Sequence, residues 1–144
     1  MSKQYDPQMH TAEHILNQTM VRMFGRGRSF SSHLERKKSK CDYHFDRNLT
    51  SEEINKIESC VNIIVESDVG VREEVVSRND AAKEYDLSRL PEQIGETIRI
   101  IKIGNYDACP CIGEHVNSTK EIGSFRIIST SYDNGVLRVR FKLS

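Results

Sequence analysis

The spacing of apolar residues changes along this chain, and that change restricts the fold more than any other feature. Near the N-terminus the spacing is helical. Asp6-Pro7 is a helix start, because Asp caps helices and Pro is tolerated at the first helical position. We predict a helix that ends near residue 24, before Gly25. Its apolar face consists of Met9, Ala12, Ile15, Leu16, Thr19, Met20, Met23 and Phe24.

A second helix follows from residue 51. Thr50 and Glu53 form a capping-box sequence that marks its start, and Gly70 follows its end. Its apolar stripe consists of Ile54, Ile57, Val61, Ile64 and Val65. We also predict a short third helix that is capped by Asn79 or Asp80 and runs to about Tyr85.

Strand-like patterns dominate the remainder of the chain. We predict strands over residues 40–45, Val71–Ser77 and Thr97–Ile103, and a hairpin of residues 124–130 and 136–143 around the turn Asn134-Gly135. Residues 25–32 are expected to form a loop or irregular edge strand, and residues 105–115 a loop. The sequence therefore predicts an α+β fold, in which two main helices pack on an antiparallel or mixed β-sheet.

Length and charge restrict the function classes. The chain has 144 residues, which predicts one domain over 1–144. No apolar run approaches the ~18 residues of a membrane span, and the N-terminus lacks a signal-type stretch, so we expect a cytoplasmic protein with no membrane partner. The net charge is zero. Residues 21–50 carry eight basic and three acidic residues, whereas 51–96 carry five and twelve, so one segment could meet phosphates while the other faces away.

Two motifs point to a metal site. His10 and His14 are four residues apart on the first helix, which puts both imidazoles on one face. Cys111 and His115 have the same spacing in the later loop. Together the four residues offer three nitrogens and one sulfur, a ligand set that suits Zn²⁺. We therefore predict one shared zinc site.

The first motif also matches His-x-x-Glu-His, the inverted-zincin pattern, in which Glu13 would be the general base of a metalloprotease. Glu13 occupies a neighbouring rotational position on the helix and is expected to be solvated. The cysteine-containing motif has no place in a protease of this kind. We therefore keep this interpretation only as an alternative.

The residues further resemble the editing domain of alanyl- and threonyl-tRNA synthetases, above all its free-standing form, the small alanyl-tRNA editing (AlaX-type) proteins. The resemblance covers roughly residues 8–143. It rests on the His10/His14 pair and on two motifs about a hundred residues later, Cys111-Ile-Gly-Glu-His115-Val and Thr119-Lys-Glu-Ile-Gly123. The sequence departs from the family pattern between the ligands, where Ile112 and Glu114 replace the usual Gly and Thr.

This resemblance implies a synthetase second-additional-domain fold and zinc-dependent hydrolysis of misacylated tRNA. The substrate implied is serine, or glycine, on tRNA(Ala). Such products need a second site, because an alanine pocket rejects them poorly. Glu114 and Thr11 are the candidate catalytic residues. Glu114 would position a water, or alternatively fix a histidine ring.

The resemblance also suggests how substrate would be held. Hydroxyls and backbone groups of the segment from Ser29 to His33 could read serine, namely those of Ser29, Ser31, Ser32 and His33, although they could equally be ordinary loop residues. Basic side chains in the same region could contact tRNA phosphates: Arg26, Arg28, Lys37 and Lys38. Two other functions stay open: deacylation of a different misacylated tRNA, and a tRNA- or ligand-binding module with a structural zinc.

Overall fold

The computed structural model describes residues 6–87, 90 and 95–144. Helix α1 spans Pro7–Phe24, and the Asp6 side chain caps it by accepting from the backbone N–H groups of Gln8 and Met9. Helix α2 spans Ser51–Glu66 behind the predicted capping box of Thr50 and Glu53. Helix α3 spans Arg78–Glu84. None of these helices is long and apolar enough to cross a membrane.

Four antiparallel strands form the larger sheet. They are β1 (Ser31–Leu34), β2 (Ser39–His44), β6 (Phe125–Asp133) and β7 (Val136–Leu143), in the spatial order β1-β2-β7-β6. The predicted hairpin turn joins β6 to β7, and both Asn134 and Gly135 have the positive φ that this tight turn requires. A bulge between Ile127 and Ser129 leaves Ile128 without a partner on β7.

Three further strands form a second antiparallel sheet, β3 (Val71–Ser77), β4 (Thr97–Ile103) and β5 (Asp107–Pro110), with β4 in the centre. The α+β class is confirmed, but the strands divide between two sheets. The prediction of a loop over 105–115 is wrong for β5, which pairs with β4 although it ends in Pro110. Proline is tolerated there because β5 is an edge strand. Helix α3 is capped by Ser77, which accepts from the Asp80 N–H, rather than by Asn79 or Asp80.

The main core lies between α1, α2 and one face of the four-stranded sheet. Its fully buried members include Leu16, Ile57, Tyr43, Val139 and Phe141. Helix α1 is enclosed on all sides over its first half, since every residue from 9 to 17 is buried. The polar side chains of this stretch therefore lie inside the protein, and they need partners there.

Candidate metal centre

Helix α1 supplies the first half of the site. His10 and His14 lie one turn apart, and only 7% and 3% of their surfaces are exposed. Their ring centroids are 5.2 Å apart. Because α1 is enclosed at this point, both imidazoles face a protein interior rather than water.

The segment after β5 supplies the second half. The backbone N–H of Cys111 donates to the Arg99 carbonyl of β4 at 3.2 Å, and the Arg99 guanidinium donates to the Gly113 carbonyl at 2.8 Å. These bonds hold the segment against the second sheet. Cys111 Sγ then lies 3.3 Å from His10 Nε2 and 3.5 Å from His115 Nε2.

The four predicted ligands come together. The candidate ligand atoms of His10, His14, Cys111 and His115 all lie within 4.8 Å of one another. A tetrahedral zinc site with Zn–N of about 2.0–2.1 Å and Zn–S of about 2.3 Å separates its ligand atoms by roughly 3.3–3.6 Å. The two sulfur–nitrogen distances lie in this range, so the cluster suits Zn²⁺ in donor type and these two contacts match a zinc site in spacing.

The surroundings of Cys111 and His115 favour the protonation states in which these two residues bind a metal: a thiolate and a neutral imidazole. Burial raises the pKa of the Cys111 thiol, but hydrogen bonds from the three histidines outweigh burial and bring that pKa to about 3. Burial lowers the pKa of His115 to about 4, against the opposing hydrogen bond to Cys111. At neutral pH the site therefore presents a thiolate and a neutral His115 imidazole.

Gly113 allows the backbone to pass close to the His10 ring. A Cβ added to Gly113 would lie 2.0 Å from Cε1 and 2.3 Å from Nδ1 of His10. The backbone between Cys111 and His115 thus passes directly against the His10 ring, and only glycine allows this approach.

Asp107, a residue that the sequence analysis does not identify, contacts the far side of His14. Its Oδ2 lies 3.5 Å from His14 Nδ1, which leaves Nε2 for the cluster. Both Asp107 oxygens also accept from Arg28, at 2.7 and 3.2 Å, and Oδ1 accepts from Gln18 at 3.0 Å. A carboxylate behind a ligand histidine is a common way of fixing the ring.

Charge inside this network is balanced by pairing. Burial raises the Asp107 pKa, but the hydrogen bonds and charges of His14 and Arg28 lower it below its usual range. Burial lowers the His14 pKa, whereas bonds to Asp107 and Cys111 raise it to about 9. His14 is therefore protonated in the metal-free site at neutral pH, and it must lose that proton to ligate a metal.

Thr11 orients His115. Its hydroxyl donates to the Pro7 carbonyl at 2.8 Å and accepts from the Val116 N–H at 3.2 Å. His115 Nδ1 lies 3.1 Å from the same oxygen, so Nδ1 carries the hydrogen and Nε2 stays available as a ligand. Thr11 itself is fully buried.

The expectation that Glu13 is solvated is wrong. Only 6% of its surface is exposed, and Oε1 lies 3.8 Å from His10 Nε2. Glu13 is enclosed because every residue of α1 from 9 to 17 is buried, with α2, β5 and the 3-10 turn of Thr119–Ile122 packed against the helix. The carboxylate therefore adds negative charge to the interior side of the cluster.

Glu114, in contrast, is exposed. It lines an open cleft of about 630 Å³, together with residues of the α1 start and of the β1–β2 turn: Asp6, Pro7, Leu34, Glu35, Arg36 and Lys37. None of the four candidate ligands lines this cleft among the described residues; its connection to the cluster is Glu114, which directly precedes the ligand His115. The cleft offers room for a ligand that approaches from solvent.

The residues predicted to hold the substrate, Ser29, Ser31, Ser32 and His33, do not lie on one side of β1, because successive side chains of a strand point to opposite faces. Ser29 is buried, and its hydroxyl lies 2.8 Å from that of Ser32, which in turn donates to Cys41 Sγ at 3.5 Å. Ser31 and His33 are exposed, and His33 Nε2 lies 3.1 Å from Glu35 Oε1. The four residues therefore do not face one common space.

The predicted tRNA-binding residues are likewise divided. Lys37 and Lys38 are exposed in the β1–β2 turn, and Lys37 lines the cleft. Arg26 pairs with Asp46 at 2.9 Å on the surface. Arg28 is turned inward onto Asp107, where it belongs to the support of the metal cluster.

Comparison with known proteins identifies relatives. Residues 98–139 match the family model of the threonyl and alanyl tRNA synthetase second additional domain. The matched segment includes Cys111 and His115. The chain is 34% identical over 132 residues to the alanine–tRNA ligase of Fervidobacterium nodosum, and 34% identical over 137 residues to that of Halorubrum lacusprofundi.

These matches cover 90% and 92% of this chain, but the chain spans only 15% of the length of each ligase. The alanine–tRNA ligase of Methanococcus maripaludis, 31% identical over 137 residues, gives the same coverage. The predicted relationship is confirmed: this is an editing-domain-like protein related to alanyl-tRNA synthetase.

Proposed function

We propose that this relative of the alanine–tRNA ligases hydrolyses the ester that joins a wrong amino acid to tRNA, with Zn²⁺ as cofactor. Serine on tRNA(Ala) is the main substrate proposed, and glycine on the same tRNA a second one. The observation that carries this proposal is the buried three-histidine, one-cysteine cluster, in a chain whose relatives are alanine–tRNA ligases. An open cleft lined by Glu114, the residue before the ligand His115, supports it. We further propose that the protein acts in the cytoplasm.

Zinc held by His10, His14, Cys111 and His115 would supply Lewis-acid chemistry. The chain's own groups do the remaining work. Asp107 and Thr11 hold the rings of His14 and His115 in position from behind. Glu114 lines the cleft next to His115, so its carboxylate is the group we assign to orienting the attacking water.

This assignment gives Thr11 and Glu114 different roles. Thr11 is fully buried and already bonded to Pro7, Val116 and His115, so we assign it to positioning a ligand rather than to contact with substrate. Glu114 is exposed to the cleft and belongs to the reacting site. The leaving group is a ribose oxygen, which accepts a proton from water.

Selection of serine over alanine requires a polar group that rewards the added hydroxyl. Ser31 is exposed on β1, whereas the hydroxyls of Ser29 and Ser32 bond to each other. We therefore assign the reading of the serine hydroxyl to Ser31. A site built to bond a hydroxyl can reject the analogue that lacks it by about 10⁴-fold. We therefore expect alanine esters to survive.

A binding module with a structural zinc is the alternative function. It is favoured by the closure of the cluster, since four protein ligands leave a tetrahedral ion no open position. In that case tRNA would bind without hydrolysis.

The experiment that tests the proposal compares hydrolysis of seryl-tRNA(Ala), glycyl-tRNA(Ala) and alanyl-tRNA(Ala). We expect rapid loss of serine, slower loss of glycine, and little loss of alanine. The Glu114→Gln variant should lose at least about tenfold in rate with its zinc content unchanged. Glu66→Gln, which removes an exposed carboxylate of α2 outside the cleft, is the matched control and should retain the rate.

Intact esters after incubation with folded, zinc-loaded protein would contradict the proposal and favour the binding module. Hydrolysis of another misacylated tRNA alone would keep the enzyme class and change its substrate.

A further inference from the structure

The outward face of the four-stranded sheet is basic. Along β7 the inward residues are buried core residues, whereas Arg138, Arg140 and Lys142 alternate with them and point outward. Lys40 of β2 and Arg126 of β6 share this side, because they pair with Arg140 and Lys142 across the strands. We refer to these five residues, Lys40, Arg126, Arg138, Arg140 and Lys142, as the basic face.

Two cross-strand pairs on this face join like charges. Lys40 lies directly opposite Arg140, and Arg126 directly opposite Lys142. Like charges at directly opposed positions destabilise a sheet. Such an arrangement needs an anion from outside the sheet to offset its repulsion.

Within the described part of the chain, only one residue of the basic face, Arg138, is paired with a carboxylate. Arg138 makes two bonds to Asp42, at 2.8 and 3.0 Å. The other four cations have no carboxylate oxygen within 4.0 Å among the residues that the structure describes. The Asp42 pKa is lowered by its bond to Arg138 and further by the charges of Lys40 and Arg140, so the positive potential extends over neighbouring strands.

Acidic residues gather on other surfaces. Exposed glutamates lie on α2, at Glu52 and Glu66, and on β3, where Glu73 and Glu74 pair with Arg99 and Lys102 of β4. The basic face collects its residues from β2 and from the β6–β7 hairpin. The zero net charge of the chain therefore hides a separation of charge. A surface of this kind attracts a polyanion and orients it.

The basic face leads to the cleft. Lys40 pairs with His33 on the neighbouring strand β1. The chain continues from His33 through Leu34 into the β1–β2 turn, where Arg36 and Lys37 line the cleft together with Glu114. At the far end of β2, the exposed rings of Phe30 and His44 stack with centroids 4.1 Å apart, and a stacked ring pair is a surface on which a base can stack.

We propose that the basic face binds the phosphate backbone of RNA. On the proposed function, which this inference deepens, that RNA is the tRNA whose acceptor end enters the cleft. A row of cations spaced along an open sheet fits a chain of phosphates and positions it without reading its bases. The principal phosphate contacts are then Arg126, Arg140 and Lys142, rather than Arg26 and Arg28.

The test measures binding of uncharged, fluorescently labelled tRNA(Ala) by anisotropy at several salt concentrations. The triple variant Arg126→Gln, Arg140→Gln and Lys142→Gln should bind at least about tenfold more weakly, and the slope of log affinity against log salt should fall by about two to three. Its melting temperature should stay the same or rise, because like-charge repulsion is relieved.

The matched control is Lys56→Gln, Arg72→Gln and Lys120→Gln, which removes the same charge from exposed positions elsewhere. This variant should keep its affinity within about twofold. Equal weakening in both variants, or in neither, would overturn the proposal. A change in oligomeric state of the basic-face variant, without a change in tRNA affinity, would also overturn it and assign the face to a second copy.

Failure of this inference is distinguishable from failure of the proposed function. Hydrolysis of a seryl ester of the isolated terminal adenosine needs the cleft but not the basic face. If the ester is hydrolysed and the basic-face variant still binds tRNA normally, only the inference fails. If tRNA binding falls as predicted but neither ester nor seryl-tRNA is hydrolysed, only the proposed function fails.

Discussion

The substitution Gly113→Ala, which adds one methyl group, is predicted to weaken metal binding. In Gly113→Ala the new Cβ would meet the His10 ring at 2.0 Å, so either the ring or the ligand segment must shift. A shift of this size removes His10 from ligand distance. We expect zinc affinity to fall at least about tenfold, measured by competition with a chromophoric chelator.

Gly70→Ala is the control for this prediction, since no atom of the described residues lies within 4 Å of a Cβ at that position. It should bind zinc as the unmodified protein does. Unchanged zinc affinity in Gly113→Ala would show that His10 is not a required ligand.

Asp107 is predicted to contribute to stability as well as to the metal cluster. Its side chain is fully buried, and Arg28, which bonds to both its oxygens, is only 26% exposed. In Asp107→Asn the Arg28 charge loses its partner, which should cost about 2–3 kcal/mol of unfolding free energy in the metal-free protein, measured by urea denaturation. Metal affinity should fall too, because the His14 ring loses its support.

Asp46→Asn provides the comparison, because it breaks a surface ion pair. The side chains of Arg26 and Asp46 are each about half exposed. That change should cost at most about 1 kcal/mol. Equal costs for the two variants would contradict the buried role of the Asp107 pair.

The ligands themselves could be predicted from the sequence because each pair is local. His10 and His14 share a helix face by periodicity, and Cys111 and His115 form a compact motif. Asp107 and Arg28 are 79 residues apart. No spacing rule joins them, and Arg28 in an Arg-rich segment resembles any surface cation. Their pairing depends on how the second sheet docks on α1, which is a tertiary event.

On the scale of elements, the capping box of α2 gives a pH-dependent prediction. Hydrogen bonds from Arg47 and from the Thr50 N–H lower the Glu53 pKa from 4.5 to about 2. A lowered carboxylate pKa stabilises the fold above the unfolded-state value of about 4.5, and this contribution is lost as the pH falls toward about 2.

Glu53→Gln should therefore lower the melting temperature by about 2–4 °C at neutral pH, corresponding to about 1 kcal/mol for a helix cap. The difference from the unmodified protein should shrink as the pH falls below about 4.5. Glu52→Gln removes a charge from the same helical turn and serves as the control. A difference that stays constant with pH would contradict the role of the Glu53 charge.

Elements with strong local patterns were predictable: α1 and α2 from their apolar stripes, and the β6–β7 hairpin from Asn134-Gly135. Strand β5 was not, because Asp107–Pro110 is short and ends in proline, and it becomes a strand only by pairing with β4. The burial of α1 on all sides over residues 9–17 could not be predicted from its apolar stripe. A stripe predicts one covered face, whereas here the polar residues between the apolar ones are buried as well.

At the scale of the whole molecule, sequence segments predict charge separation only in part. The basic segment 21–50 and the acidic segment 51–96 do carry opposite charge, yet the most continuous basic surface is completed by Arg126 and by β7, which lie in neither segment. Sheet pairing, which brings β2 next to β7, determines where these cations meet.

The central claim is that the four-residue cluster is a catalytic zinc centre. It is tested most directly by removing zinc with a chelator and measuring seryl-tRNA(Ala) hydrolysis and the melting temperature on the same sample. The account predicts that hydrolysis falls at least about 100-fold while the protein stays folded at the assay temperature, and that one equivalent of Zn²⁺ restores the rate. Loss of the fold together with the rate, or full hydrolysis by the zinc-free protein, would contradict it.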